Sequence, residues 1–406
     1  MSCSTRRAGC SSSSSSDAPA RCGRSRSRGR ACWPRTVSTK QAALSRTGGS
    51  HRSAAPCPEA LVIDGTGLWL LPGLVDLHGD AFERQLQPRP GVDFPAIAAL
   101  IDTDRQLLAN GITTAFHAIT LSWEPGLRSL ETFRALLAAF AALEGALGAD
   151  NRIHLRLETF AMDQWPDAAA AIAAGRVHLL AFNDHTAEIA RRAEDSARAA
   201  RYADRAKVKA AELAALAGAM LARSSEVEAF VAEAARLARA HGLLMASHDD
   251  ASPESRARWR SLGCTICEFP MNAETGLAAR AEGESVIMGS PNVMRGGSHL
   301  GWHSAEALVR AGACDVLASD YFYPAMINAA FALAARGALP LAEAWALVSR
   351  NPARAAGLSD RGRIAEGLRA DLVLVEPAAP GGPRVVATIA AGRLAHLTPE
   401  AAARLR

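Results

Sequence analysis

Leu70-Leu71-Pro72-Gly73-Leu74-Val75-Asp76-Leu77-His78-Gly79-Asp80 opens the part of the chain that reads as folded. Its apolar run, Leu70–Leu77, gives way to a histidine and an aspartate two residues apart. Side chains alternate faces along an extended chain, so His78 and Asp80 share one face. Strands buried on both faces read as continuous apolar runs, and seven more such runs follow: Ile112–Ile119, Ile153–Phe160, Val177–Phe182, Leu243–Ser247, Thr265–Phe269, Ser285–Met288 and Asp315–Ser319. Helix-like segments separate them: Phe94–Asn110, Leu127–Leu147, a long Ala-rich stretch from Thr186 to Ala240, Pro253–Leu262, Asn272–Glu282 and Ser304–Ala311. Eight strands alternating with helices predict an α/β fold, a (β/α)8 TIM-type barrel. A doubly wound open sheet is the alternative, but no G-x-G-x-x-G follows the first strand.

Beyond the eighth strand come two helices, Ala325–Arg336 and Leu341–Ser349. Gly362–Ile364, Ala370–Val375 and Val385–Ile389 then read as short strands of a small appended β-sandwich module. Its N-terminal part is reduced to Leu61–Asp64 and Leu68–Leu71, so it reads as truncated. The expected divisions are a tail at 1–57, a remnant of the module at 58–71, the barrel at 72–350 and the C-terminal module at 351–406.

The tail differs from everything after it. It carries ten arginines and one lysine against a single aspartate, about +10 of charge, whereas the 406-residue chain totals +4. The body is therefore mildly acidic, and the pI of 8.7 belongs to the tail. Ser11–Ser16 and the Arg/Ser run 21–30 have no apolar periodicity. Three readings fit 1–57: a disordered basic arm, an organelle transit peptide, or a wrong start or shifted frame in a GC-rich gene. Lys40, Lys207 and Lys209 are the only lysines, in keeping with a GC-rich source. Apolar residues at 49% provide a sizeable core, and no window of ~20 uncharged apolar residues occurs, which excludes a transmembrane helix. The acidic body gives little reason to expect nucleic acid. Three cysteines in the body (Cys264, Cys267, Cys314) do not make a disulfide scaffold, so a reducing, cytoplasmic setting is expected. Cys264-x-x-Cys267 has no second pair and reads as structural.

Catalytic groups of such a barrel lie at the C-terminal ends of its strands. Strand one ends in His78 and Asp80, strand three in Glu158, strand four in Asp184-His185, strand five in Ser247-His248-Asp249-Asp250, and strand eight in Ser319-Asp320. Any one of these suits a hydrogen-bonded loop residue. Five rims with the same imidazole and carboxylate chemistry point to a divalent metal. Glu268, ending strand six, competes for a ligand place. His178 reads as strand interior, His241 as a helix C-cap, and His117 and His154 as packing or supporting groups.

Pro72-Gly73-x-x-Asp76-x-His78 matches P-G-x-x-D-x-H, and the chain resembles the amidohydrolase superfamily, whose barrel carries an appended β-module. The resemblance implies one or two divalent metal ions, zinc or manganese foremost. Many members bridge two metals with a carboxylated lysine, but no lysine lies between Lys40 and Lys207, and Glu158 is the natural substitute. A narrower resemblance runs from Pro72 to Phe331. It is carried by His78-Gly79-Asp80, Pro88-Arg89-Pro90-Gly91-Val92, His154–Glu158, Asp184-His185-Thr186, Ser247–Asp250, Glu268-Phe269-Pro270, Ser290–His299 and Ser319-Asp320-Tyr321. These look like the diphosphatases of the carbon–phosphorus lyase pathway. That resemblance implies hydrolysis of α-D-ribose 1-methylphosphonate 5-triphosphate to the 5-phosphate and pyrophosphate in phosphonate catabolism.

The implied metal set is His78, Asp80, Glu158, His185, His248 and Asp320, with Asp320 also taking a proton from the attacking water. The polyanion would meet Arg89, Asp250, Asn292, Arg295, Gly296 and His299, where Gly296-Gly297 lets backbone approach phosphate. Arg84 is a further phosphate candidate, and Asp184 and Asp249 are supporting or sugar-hydroxyl candidates. Gly79, His117 and Trp302-His303 depart from the family pattern. The partner is a small phosphorylated sugar, without nucleic acid or membrane, and the superfamily's habit suggests a homodimer. The rival readings are a C–N bond hydrolase (a cyclic amide hydrolase or deacylase) and a non-catalytic protein using its basic arm.

Overall fold

The computed structural model describes residues 62–193, 202–296 and 304–405. The expectations for residues 1–57, His299 and Trp302-His303 lie outside them. Eight parallel strands form one sheet in chain order: β2 (Leu74–Gly79), β3 (Ile112–Leu121), β4 (Asp150–Glu158), β5 (Leu179–Asn183), β6 (Leu244–His248), β7 (Ile266–Glu268), β8 (Ser285–Gly289) and β9 (Val316–Ala318). The last strand returns to the first. Gly79 and Asp320 form a parallel bridge, Asp320 N donates to His78 O at 2.8 Å, and Asp80 N donates to Asp320 O at 3.0 Å. The expected (β/α)8 barrel is present.

The opening run is two strands rather than one. β1 (Trp69–Pro72) pairs antiparallel with β10 (Leu372–Glu376), and Gly73 separates it from β2. A Cβ at Gly73 would lie 2.4 Å from Thr113 Oγ1, so only glycine lets the chain cross here. β10, β11 (Arg384–Ala390) and β12 (Arg393–Leu397) complete a four-stranded antiparallel sheet in the order β1-β10-β11-β12. Gly362–Ile364, read as a strand, is a loop. The Thr388 hydroxyl on β11 donates to Leu108 O at 2.7 Å, tying this sheet to the helix Ala96–Ala109.

Two apolar layers lie between sheet and helices. One includes Phe133, Leu155, Leu157 and Phe182, the other Leu107, Leu317 and Met326. Val75, Leu77, Phe116, Ala181, Ala246, Ile266, Ile287 and Val316 form a third cluster, which fills the barrel interior. Period-2 alternation carries each strand from that aliphatic floor to a polar rim: Ala246 to His248, Ile266 to Glu268, Ala181 to Asn183. The Thr186–Ala240 stretch is not one helix: Thr186–Ala193, Ala210–Leu221 and Ser224–Ala240 are separate. Lys207, at φ 56°, turns the chain between the first two, and its ammonium pairs with Asp93. Among the described residues no helix is long and apolar enough to cross a membrane.

Candidate metal centre and active site

Six strand ends deliver polar side chains to the rim. Two groups of converging donors form there: His78, His248 and Glu268, and His185, His248 and Asp249, each with donor atoms within 4.8 Å of one another. His78 Nδ1 lies 3.1 Å from Glu268 Oε1, and His154 Nε2 lies 3.5 Å from Glu268 Oε2. All three side chains are essentially inaccessible. Glu268, only a competitor in the sequence, is thus central. The helix Pro253–Ser261 and the turn before β7 deliver it there.

His185 is held from behind. Its Nδ1 is 2.6 Å from Glu158 Oε1, and its backbone N–H donates to Glu158 Oε2 at 3.1 Å, leaving Nε2 to face Asp249 Oδ2 at 3.2 Å. Glu158, expected to bridge metals, pairs with His185 through both oxygens. This is how carboxylates fix ligand tautomers. Asp249 sits at φ 59° just past β6, a conformation that turns its carboxylate toward His185 and His248. The sequence makes it a supporting or sugar-hydroxyl candidate.

Asp80 and Asp320 stand outside both groups. Asp80 Oδ2 is 3.6 Å from Arg156 Nη1. Asp320, at φ 56°, is fixed by the barrel seam: the Asp76 carboxylate accepts from Ser319 N at 2.9 Å and from Ser319 Oγ at 2.5 Å. Arg156 was overlooked. It is buried on β4 between His154 and Glu158, and its Nη2 approaches His248 Nε2 at 3.3 Å. With the Asn183 amide oriented so that its oxygen faces the guanidinium, that oxygen accepts from Arg156 Nε at 2.9 Å and Nη2 at 3.1 Å. The signal was the i, i+2, i+4 set His154, Arg156 and Glu158, three polar groups on one face of an apolar strand.

Burial governs the charges. It pushes Asp320 up to about 8, with the Asp80 carboxylate adding to it. It also holds His78 well below the usual histidine range, reinforced by Arg156. Burial would likewise raise Glu158 and depress His185, but their ion pair wins, holding Glu158 at about 2 and His185 at about 9. Buried carboxylates and imidazoles so arranged attract a cation.

The residues fit a divalent metal. His154 Nε2 and Glu268 Oε2 are buried polar atoms that make no hydrogen bond to any described residue, and unpartnered buried acceptors are costly without a ligand. Among the described residues the His/carboxylate set lacks thiolates, and Cys264 and Cys267 are buried free thiols outside both groups. Burial pushes Cys264 up to about 12, which makes it inert.

The expected substrate-contacting residues are scattered. Arg89 lies on an exposed turn bridged to Val92. Arg84 donates to Tyr321 O, and Arg295 reaches Tyr321 Oη at 3.4 Å, both at the rim beside Asp320. Gly296, at φ 75°, ends the helix Ser290–Arg295 as a left-handed C-cap. Asn292 faces structure instead: its Oδ1 accepts from Ala305 N at 2.7 Å. Asp250 is also committed elsewhere. Its Oδ2 accepts from Ser247 Oγ at 2.6 Å and lies 3.5 Å from Arg256 Nη1 in a buried knot. Adjacent carboxylates in this turn face opposite ways, and Asp249, not Asp250, faces the donors. Asp184 is exposed. His178 precedes β5, and its Nδ1 accepts from Ile153 N at 3.1 Å.

Comparison with known proteins agrees with this architecture. The chain is 36% identical over 328 residues, 79% of this chain and 86% of the other, to the α-D-ribose 1-methylphosphonate 5-triphosphate diphosphatase of Escherichia coli K12. A solved amidohydrolase from a Sargasso Sea environmental sample superposes with a TM-score of 0.55 at 17% identity, over 85% of this chain and 83% of that one. A prolidase solved with N-methylphosphonate-L-proline superposes with a TM-score of 0.53 at 15% identity, over 85% and 91%. These two establish a shared fold. The amidohydrolase family model matches residues 166–398, and with the barrel, its appended sheet and the rim of histidines and carboxylates in place, the chain belongs to the amidohydrolase family.

Proposed function

We propose that this hydrolase is a metal-dependent diphosphatase acting on a ribosyl 5′-triphosphate, α-D-ribose 1-methylphosphonate 5-triphosphate, releasing pyrophosphate and leaving the 5-phosphate. The observation that carries the reading is the 36% identical relative of that name, matched across the barrel that bears the donor groups. His78, His185, His248, Asp249 and Glu268 would hold the ion, manganese or zinc, and Glu158 keeps His185 in the tautomer that offers Nε2. A divalent ion bound there supplies Lewis acidity and acidifies water.

The chain's own residues do the rest. Asp320, anchored on the seam beside these donors, accepts the proton of the attacking water. Arg84 and Arg295, converging on Tyr321 at the rim, meet the phosphate chain as charge-assisted donors. Arg156 supplies a fixed positive charge below them. Under this reading the reaction is cytoplasmic and the partner a small phosphorylated sugar.

The test uses the full chain, stripped of metal and reconstituted with Mn²⁺ or Zn²⁺, and measures pyrophosphate release from ribosyl and nucleoside 5′-triphosphates. Release that requires metal and falls by at least ~10²-fold in Asp320→Asn supports the reading. Bound metal with turnover of cyclic amides, and no release from any triphosphate, replaces it with C–N hydrolysis.

A further inference from the structure

β7 delivers Glu268 to the donors, and the residue after it breaks the pattern of the strand. Ile266 and Glu268 face the barrel interior, so alternation would turn residue 269 outward to the helices. Phe269 instead sits at φ 52°, in the left-handed region, which is costly for a bulky side chain. Its N–H donates to Ile287 O at 2.9 Å, so the backbone stays in the β7–β8 ladder while the ring swings back over the mouth. There it stands edge-on to His78, centroids 4.8 Å apart, and tilted on His248 at 5.0 Å. Asp249 makes the same left-handed turn one strand earlier, at φ 59°, and it too ends at the donors.

The ring is only half-buried. It borders Asp320 as well. A Cβ built on Gly289 would lie 3.5 Å from the Phe269 ring and 2.9 Å from Asp320 Oδ2, so the glycine that ends β8 keeps the space between ring and carboxylate clear. A molecule that reaches both the donors and Asp320 therefore passes this ring. Phosphate does not suit it, because the face of an aromatic ring is electronegative. The cations lie further round the rim: Arg295 after β8 and Arg84 after β2, both at Tyr321 after β9. Charge-binding groups thus occupy the β8–β9–β2 arc, and an apolar ring with exposed surface takes the neighbouring β7 position.

Building on the diphosphatase reading above, we propose that Phe269 is a specificity-determining residue that touches substrate. Its ring carries the C–H face of the ribose, while the phosphates beyond the cleaved bond run to Arg84 and Arg295. The leaving pyrophosphate is then bound by charge and the retained sugar by contact with carbon. A sugar face lined by C–H groups is the part of this substrate that gains from leaving water for an aromatic surface. The strained backbone at residue 269 aims into the mouth a ring that a regular strand would bury among the helices.

The experiment measures kcat and KM for ribosyl 5′-triphosphate with the Zn²⁺-loaded full chain, alongside Zn²⁺ affinity by titration. Phe269→Leu, which keeps an apolar side chain and removes the ring, is expected to raise KM by ~10-fold, with kcat and Zn²⁺ affinity within about twofold of wild type. Phe269→Tyr, which keeps the ring, is expected to retain the wild-type KM. Unchanged KM in Phe269→Leu, or an equal rise in Phe269→Tyr, overturns this inference and leaves the proposed function standing. Loss of kcat and Zn²⁺ affinity together in Phe269→Leu overturns it too, because the ring would then only pack the donor imidazoles. If Phe269→Leu does not fold, wild type decides by saturation-transfer NMR. Irradiating aromatic protons should then transfer saturation to the sugar protons of ribosyl 5′-(α,β-methylene)triphosphate, and no transfer overturns the inference. No release from any 5′-triphosphate by folded, Zn²⁺-loaded wild type overturns the functional reading and this inference with it.

Discussion

Arg256 lies directly beneath the rim and is completely buried. Its Nε donates to Glu284 Oε2 at 2.7 Å, Nη1 to Ser247 Oγ at 2.6 Å and to Ile266 O at 3.2 Å, and Nη2 to Cys264 O at 2.5 Å. Removing one partner of a buried ion pair costs about 3–5 kcal/mol, because the other is left charged and dry. Here the loss falls at the low end. Glu284 keeps Arg260, whose Nε donates to Oε1 at 2.6 Å, so Asp250 and two carbonyls bear most of it. Arg256→Met, which preserves the packed stem, should therefore destabilise the chain by about 3 kcal/mol. At a slope of roughly 3 kcal/mol/M, that lowers the urea midpoint by about 1 M in tryptophan fluorescence. Arg260→Met, at a side chain 32% exposed, should cost about 1 kcal/mol or less. The asymmetry is the test. Equal losses for the two variants, or an Arg256→Met midpoint within experimental error of wild type, would show that the knot does not anchor the β6–β7 rim.

A methyl at Gly79 would stand 2.7 Å from Asp76 Oδ2 and 3.3 Å from the Tyr323 ring. Gly79→Ala should thus cost about 1–3 kcal/mol by overpacking the seam, visible as an earlier melting transition. Glu268→Gln removes the one charge at the heart of the first donor group. Mn²⁺ affinity measured by titration should fall by at least ~10-fold, and unchanged affinity would remove Glu268 from the centre. Burial would raise Glu284, but Arg256 and Arg260 overcome it and hold its carboxyl below the usual glutamate range. A depressed native value contributes stability that is full above the unfolded value, about 4.3, and lost as pH falls through the native one. Urea midpoints should drop below pH ~4.3, and less steeply in Glu284→Gln.

The eight strands were legible because parallel barrel strands, buried on both faces, leave uninterrupted apolar runs. That signal says nothing of which sheet a run joins. Leu70–Leu77 feeds β1 into the small sheet and β2 into the barrel, and only the close approach of Thr113 to Gly73 marks the change. In the site, strand ends found His78, Glu158, His185, His248 and Asp320 as a neighbourhood. Which groups converge was not legible, because a carboxylate one residue further on faces the opposite way. Asp249 and Asp250 divide between donor group and buried knot on a single φ of 59°. Glu158 and Asp80 read as ligands by type, and sequence alone did not show that they pair with His185 and Arg156. Arg156 escaped because an arginine within an apolar run reads as an exposed interruption until its neighbours at i±2 are placed on the same face.

The barrel seam carries a kinetic consequence. Ser319 and Asp76, joined across it, are 243 residues apart in the chain, and closing loops of that length slows folding more than it weakens the fold. During synthesis His78 emerges early, yet nothing can hold Asp320 beside it until the ribosome has delivered almost the whole barrel. Under the role proposed for Asp320, competence for chemistry is a late event in the life of each chain, because a nascent polypeptide stalled before Ser319 holds the rim histidines without the seam aspartate.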